Sequence, residues 1–252
     1  MRSASRASRF TFDAEAVFSE LQQAIVGQDH VLTAMHELLY VLKADIAEPS
    51  RPLSINLLVG PTGVGKTETV KVLARALAGH DNNLCRVDMN TLAQEHYSAA
   101  ITGAPPGYVG SKEGHTLLNQ DIIEGQFSCP GVVLFDEIEK ASDEVIRSLL
   151  NIFDSGQLRL SGSNKSISFS NSLIFMTSNL GARELMRWRT QRWKFWKTWP
   201  FFNKAPSTIV EQAVKRRLDP EFINRIERRL VFNYLPVNLV DALIVNVQPT
   251  TP

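Results

Sequence analysis

Eight consecutive residues carry the clearest chemistry in this chain. Gly60, Pro61, Thr62, Gly63, Val64, Gly65, Lys66 and Thr67 fit the spacing G-x-x-x-x-G-K-[ST] at every fixed position. Glycines so placed let successive backbone N–H groups converge on one anion. A helix starting at the loop's end adds its positive dipole at the same point. Lys66 would then reach the β- and γ-phosphates of a nucleotide, and the Thr67 hydroxyl would hold Mg²⁺. A second group of residues could complete a reaction. Asp136 and Glu137 close the apolar run GVVLFDE; the first is placed to hold Mg²⁺ through water, the second to orient and deprotonate an attacking water. Alone, such an acidic pair also suits a helix N-cap. Asn179 ends the run LIFMTSN, where its amide could hold that water or simply make a turn.

These residues need elements to position them. SINLLV, before the glycine loop, reads as a buried strand, and Val70, Leu73, Ala74 and Leu77 after it recur at helical spacing. Further strands are expected at Leu84–Val87, Gly131–Glu137, Leu173–Met176 and Leu230–Phe232. Helices are expected at Asp13–Ala24, Val31–Leu42, Leu117–Ile123 and Val145–Phe153. Strands alternating with helices argue for a three-layer α/β domain with a five-stranded parallel sheet. The site would then sit at the carboxyl ends of the strands.

Composition sets the outer limits. The chain has 252 residues and a formal charge of +1, which gives no global pull toward nucleic acid or membrane. Cys85 and Cys129 show neither metal-site nor disulfide spacing, so a reducing, cytoplasmic setting is permitted. No apolar run approaches the roughly 18 residues of a spanning helix. MRSASRASRF at the start is basic and serine-rich without a secretory apolar segment; it reads as a disordered lead-in over residues 1–12, or as the tip of a targeting peptide. MRWRTQRWKFWKTWPFF, from Met186 to Phe202, holds all four tryptophans interleaved with arginine and lysine. A packed helix, a partner- or nucleic-acid-binding loop and an interfacial membrane helix all suit it.

Taken together, the motifs resemble the AAA+ ATPases, in particular the second ATPase domain of the Clp unfoldase and disaggregase family. The matching stretches are VGQ at Val26, GPTGVGKTE from Gly60 to Glu68, GAPPGYVG from Gly103, LFDEIEKA from Leu134, MTSNLG from Met176 and DPEFINRIE from Asp219. The resemblance spans roughly residues 20–236, inside an ATPase large domain read over 13–236 with an atypical insertion at 186–204. It implies ATP and Mg²⁺ as ligands, protein substrates, and self-association into a hexameric ring with Glu137 and Asn179 catalytic. It further implies that Ile25 and Val26 contact the adenine and that Tyr108 and Val109 line the ring's pore and grip substrate. Gly156–Lys165 would be a second pore loop, and Arg225 an arginine finger acting on the neighbouring subunit. The family's C-terminal helical lid has no counterpart in residues 237–252, which read as a truncated tail. The expected function is ATP hydrolysis coupled to remodelling or threading of proteins. The alternatives are an ATP-dependent assembly module and an inactive, lid-less fragment.

Overall fold

The computed structural model describes residues 8–81, 83–93, 117–160, 166–187 and 206–235. Its centre is a parallel sheet of β1 (Ser54–Val59), β2 (Leu84–Asp88), β3 (Gly131–Asp136), β6 (Ser172–Ser178) and β7 (Arg228–Val231), in the order β2-β3-β6-β1-β7. The helices are α1 (Ala14–Ala24), α2 (Asp29–Ala44), α3 (Lys66–Ala78), α4 (Gln120–Glu124), α5 (Asp143–Ser155), α6 (Pro206–Arg217) and α7 (Pro220–Asn224), with a further helical stretch at 182–187. The three-layer α/β architecture expected from the sequence is the one observed.

The central strands are apolar on both faces, as a sheet covered on both sides must be. In β3, Val133 and Phe135 join one core while Val132 and Leu134 join the other. The first core is closed by α5, α6 and α7, the second by α1, α2 and α3. Asp13 caps α1 through its carboxylate, accepting from the backbone N–H of Glu15 at 2.9 Å.

Several expectations shift. The fifth strand begins at Arg228 rather than Leu230, because Asn56 of β1 is already in register with Arg228; an edge strand tolerates the charges that hid it from an apolar pattern. The helical spacing at Leu117–Ile123 resolves into α4, which starts only after Asn119 caps it. Residues 8–12, read as part of the lead-in, bury Phe10 and Phe12 in the second core. Lys43 Nζ donates to Phe10 O at 2.8 Å, and Thr11 N–H to Ser128 O at 3.1 Å. The segment read as a second pore loop, Gly156–Lys165, begins with β4 (Gln157–Arg159), which pairs antiparallel with β5 (Ser166–Ser168) just beyond the segment; residues 161–165 lie outside the described set. Tyr108 and Val109, most of the tryptophan-rich stretch (188–202) and the tail at 237–252 also lie outside it.

Candidate active site

The glycine loop leaves β1 at the sheet's carboxyl edge. The N–H of Gly60 donates to Ser178 O at 3.1 Å, which ties the start of the loop to the end of β6. Gly63 and Gly65 have φ of +80° and +101°, values that favour glycine. A Cβ on either would meet nothing within 4 Å, so the space above the loop is open. Gly60 is needed for a different reason: a Cβ there would lie 2.7 Å from Phe232 O.

Lys66, the first residue of α3, is 7% exposed. Its Nζ donates to Gly60 O and Pro61 O at 2.7 Å and to Asn179 Oδ1 at 2.9 Å. Burial lowers its pKa to about 8, although Glu139, Asp136 and Glu137 oppose the shift. Asn179 is held from both sides. Its Oδ1 accepts from Lys66 and, at 3.4 Å, from Thr62 Oγ1, while its Nδ2 donates to Glu137 Oε1 at 2.9 Å. That pattern fixes which way the amide points.

Asp136 and Glu137 diverge despite being neighbours. Glu137 has φ 59° and ψ 54°, a left-handed conformation that costs a non-glycine residue about 1–2 kcal/mol. Asp136 remains in strand geometry and is 6% exposed. Its Oδ1 accepts from Thr67 Oγ1 at 3.2 Å and from Thr177 Oγ1; its Oδ2 accepts from Arg86 Nε at 3.0 Å and Nη2 at 2.6 Å. Glu137 instead reaches Asn90, whose Nδ2 donates to its Oε2 at 2.5 Å. Thr177 serves both acids, donating to Asp136 and accepting from the Glu137 N–H at 3.0 Å.

The result is one cavity of about 530 Å³ lined by the glycine loop, Thr67, Glu68, Asp136, Glu137 and Asn179. Its chemistry fits a magnesium-bound polyphosphate. Backbone N–H groups of the glycine loop and the Lys66 ammonium would face the phosphates, and the Thr67 hydroxyl lies beside the Asp136 carboxylate. Mg²⁺ typically takes one or two carboxylates and completes its shell with water and phosphate oxygens.

Not every expected residue lies on this cavity. Ile25 is buried as the C-cap of α1, and neither it nor Val26 is part of the lining. They connect to the loop through buried Gln28, whose Nε2 donates to Val64 O at 3.5 Å and to Asn233 O at 2.9 Å. Arg225 is also off the cavity. It lies just before β7, near Glu227, whose N–H donates to Ile55 O at the start of β1. Six residues of β1 separate that end from the glycine loop, roughly 20 Å at about 3.3 Å per residue. Arg86, Asn90 and Thr177 were not picked out from the sequence. Arg86 and Asn90 look like ordinary polar positions at a strand and its exit, and Thr177, just after the apolar run Leu173–Met176, reads as a strand-end polar residue.

Comparison with known proteins follows this geometry. Residues 51–229 match the family described as AAA domain (Cdc48 subfamily). The chain is 50% identical over 248 residues to the ATP-dependent protease ATP-binding subunit-like protein AmiB of Pseudomonas aeruginosa, covering 96% of this chain and 67% of that protein. A Rhodococcus erythropolis protein described in the same terms is 42% identical, with 64% of its length spanned. The chaperone protein ClpB of Bdellovibrio bacteriovorus is 36% identical, and only 24% of its length is spanned. Among solved structures, a closed-state reconstruction of Hsp104 with ATPγS and FITC-casein superposes with a TM-score of 0.75 at 30% identity, covering 94% of this chain and 39% of that one. This chain belongs to the AAA domain family of the Cdc48 and ClpB type.

Proposed function

We propose that this chain binds ATP with Mg²⁺, hydrolyses it, and uses the cycle to remodel or thread protein substrates within a ring of its own copies. The observation that carries the reading is the placement of Asn179, whose amide bridges Lys66 and Glu137 across one cavity. Phosphate binding falls to the backbone of Gly63–Lys66, the Lys66 ammonium and the dipole of α3. Thr67 and Asp136 would hold Mg²⁺, which when bound neutralises charge on the phosphate oxygens. Glu137 takes the proton of the attacking water, and Asn179 keeps that water in line. Thr177 and Arg86 hold Asp136 at a fixed angle, and the left-handed backbone at Glu137 turns its carboxylate toward Asn90 and Asn179.

Arg225, roughly 20 Å along the sheet from its own glycine loop, suits a role on a neighbouring chain. Tyr108 and Val109 as a substrate grip, and Ile25 and Val26 near the adenine, belong to the same proposal. Relatives of this chain are named as chaperones and protease ATP-binding subunit-like proteins, which agrees with this reading.

Steady-state ATPase rates with and without an unfolded protein test this, alongside mass in solution with and without ATP. Glu137→Gln should lower kcat by about 10²–10⁴-fold while ATP binding persists. Nucleotide-dependent assembly with negligible turnover in the parent chain would make it a binding module instead.

A further inference from the structure

The amino edge of the sheet holds a charged corner that the site described above does not use. Arg225 Nε donates to Asp154 Oδ1, and Arg51 Nη2 reaches the same oxygen at 3.4 Å. The elements carrying this trio are locked together. Phe153, next to Asp154, packs its ring 5.2 Å from that of Phe222 on α7, and both phenylalanines are fully buried. Arg225 is the C-cap of α7. Gly156 caps α5 so close to the preceding loop that a Cβ would lie 2.7 Å from Ser50 O, beside Arg51.

The contact is one-sided. Asp154 takes Arg225 by Nε, and no described residue bonds to Nη1 or Nη2. With Asp154 on Nε, both Nη groups keep their N–H donors for another acceptor. With Arg51 included, two cations share one anion, so the corner keeps a positive balance toward an incoming phosphate. Asp154 and Arg225 both remain about one-third exposed, at 37% and 33%, within reach of another molecule.

We propose that Asp154 is the positioning residue for Arg225, fixing its guanidinium so that the Nη edge meets the terminal phosphate held by a neighbouring chain. This rests on the reading of Arg225 as a residue that acts between chains. A long arginine side chain is otherwise spread over many rotamers, and a tether at Nε removes that freedom before the phosphate arrives.

The test uses the full chain in six forms: parent, Arg225→Ala, Asp154→Ala, Asp154→Asn, the double variant Asp154→Ala with Arg225→Ala, and Glu137→Gln. Arg225→Ala should lower kcat about 10³-fold with unchanged nucleotide Kd. Asp154→Ala should lower it about tenfold, again with unchanged Kd, and Asp154→Asn less, because its amide oxygen still accepts from Nε. The double variant should match Arg225→Ala within about twofold, as expected for residues that act as a unit. The decisive readout is rescue in trans. Asp154→Ala is diluted into excess Glu137→Gln chains, which have an intact Arg225 but no turnover of their own. Its per-site rate should return to that of the parent diluted in the same way, whereas a folding defect would stay with the chain that carries it. If the parent does not turn over, or Arg225→Ala matches it, the reading of Arg225 fails and Asp154's role fails with it. If Arg225→Ala is crippled while Asp154→Ala is not, or is not rescued in trans, the positioning role alone is overturned.

Discussion

At the carboxyl ends of the strands, Lys66 and Asp136 are 7% and 6% exposed. Each makes several hydrogen bonds, Lys66 to two main-chain carbonyls and the Asn179 amide, Asp136 to two hydroxyls and one arginine. At the amino ends, Arg51, Asp154 and Arg225 stay a third or more exposed and share a single carboxylate oxygen. Burial explains the difference in bonding. A desolvated charge must be compensated from several sides, whereas a half-solvated one can rest on one contact and leave the remainder to water. The carboxyl end therefore suits an enclosed ligand, and the amino end leaves a cation open to another molecule. Under the proposed function, the two ends meet between different chains.

Two glycines give a direct way to break one end at a time. Gly60→Ala places a methyl against Phe232 O, 2.7 Å away, at the base of the phosphate loop. Overpacking against main chain costs about 1–3 kcal/mol, and the loop must shift to relieve it. Both denaturant stability and nucleotide affinity should fall, the affinity by roughly tenfold, a loss of about 1.4 kcal/mol, as read by calorimetry with ADP. This is the larger effect, because strain and function meet at one position.

Gly156→Ala strains the other end. Its φ is 62°, and the new methyl would lie 2.7 Å from Ser50 O. The expected loss of stability is again about 1–3 kcal/mol, but nucleotide affinity should stay within twofold of the parent, since the disturbance is at the far edge of the sheet. Equal damage to binding from both variants would dissolve the separation between the two ends.

The two ends also differ in how much of them could be read from sequence. The phosphate loop was legible because few backbones require Gly63, Gly65, Lys66 and Thr67 together. The buried strands were legible because β1, β3 and β6 are apolar on both faces. Arg86 was not, since alternation along β2 makes it look like a solvent-facing residue until Asp136 is seen across the β2–β3 ladder. The left-handed backbone at Glu137 has no sequence marker, because glutamate is not a residue chosen for positive φ. Phe10 and Phe12 sit beside a basic, serine-rich stretch that hid their burial. The partner of Arg225 lies 71 positions earlier in the chain, and no local pattern links them.

The smallest effect comes from Lys66, and its sign separates folding from binding. Burial lowers its pKa from 10.5 to about 8. Between those values the unfolded chain holds more proton at this site than the folded one, so this group alone makes stability rise as pH goes from about 8 to 10.5. Phosphate binding should run the other way, because only the ammonium form attracts the anion and affinity weakens as pH climbs through about 8. At pH 7 the lysine is already mostly charged, and binding should take up little proton. Near pH 9 nucleotide phosphates are fully ionised, so uptake of a large fraction of one proton would come from Lys66. Calorimetric titration of ADP in two buffers of different ionisation enthalpy measures that fraction. No uptake near pH 9 would mean that Lys66 stays charged despite its burial. The carboxyl end would then attract phosphate independently of pH, as the arginines of the amino end must.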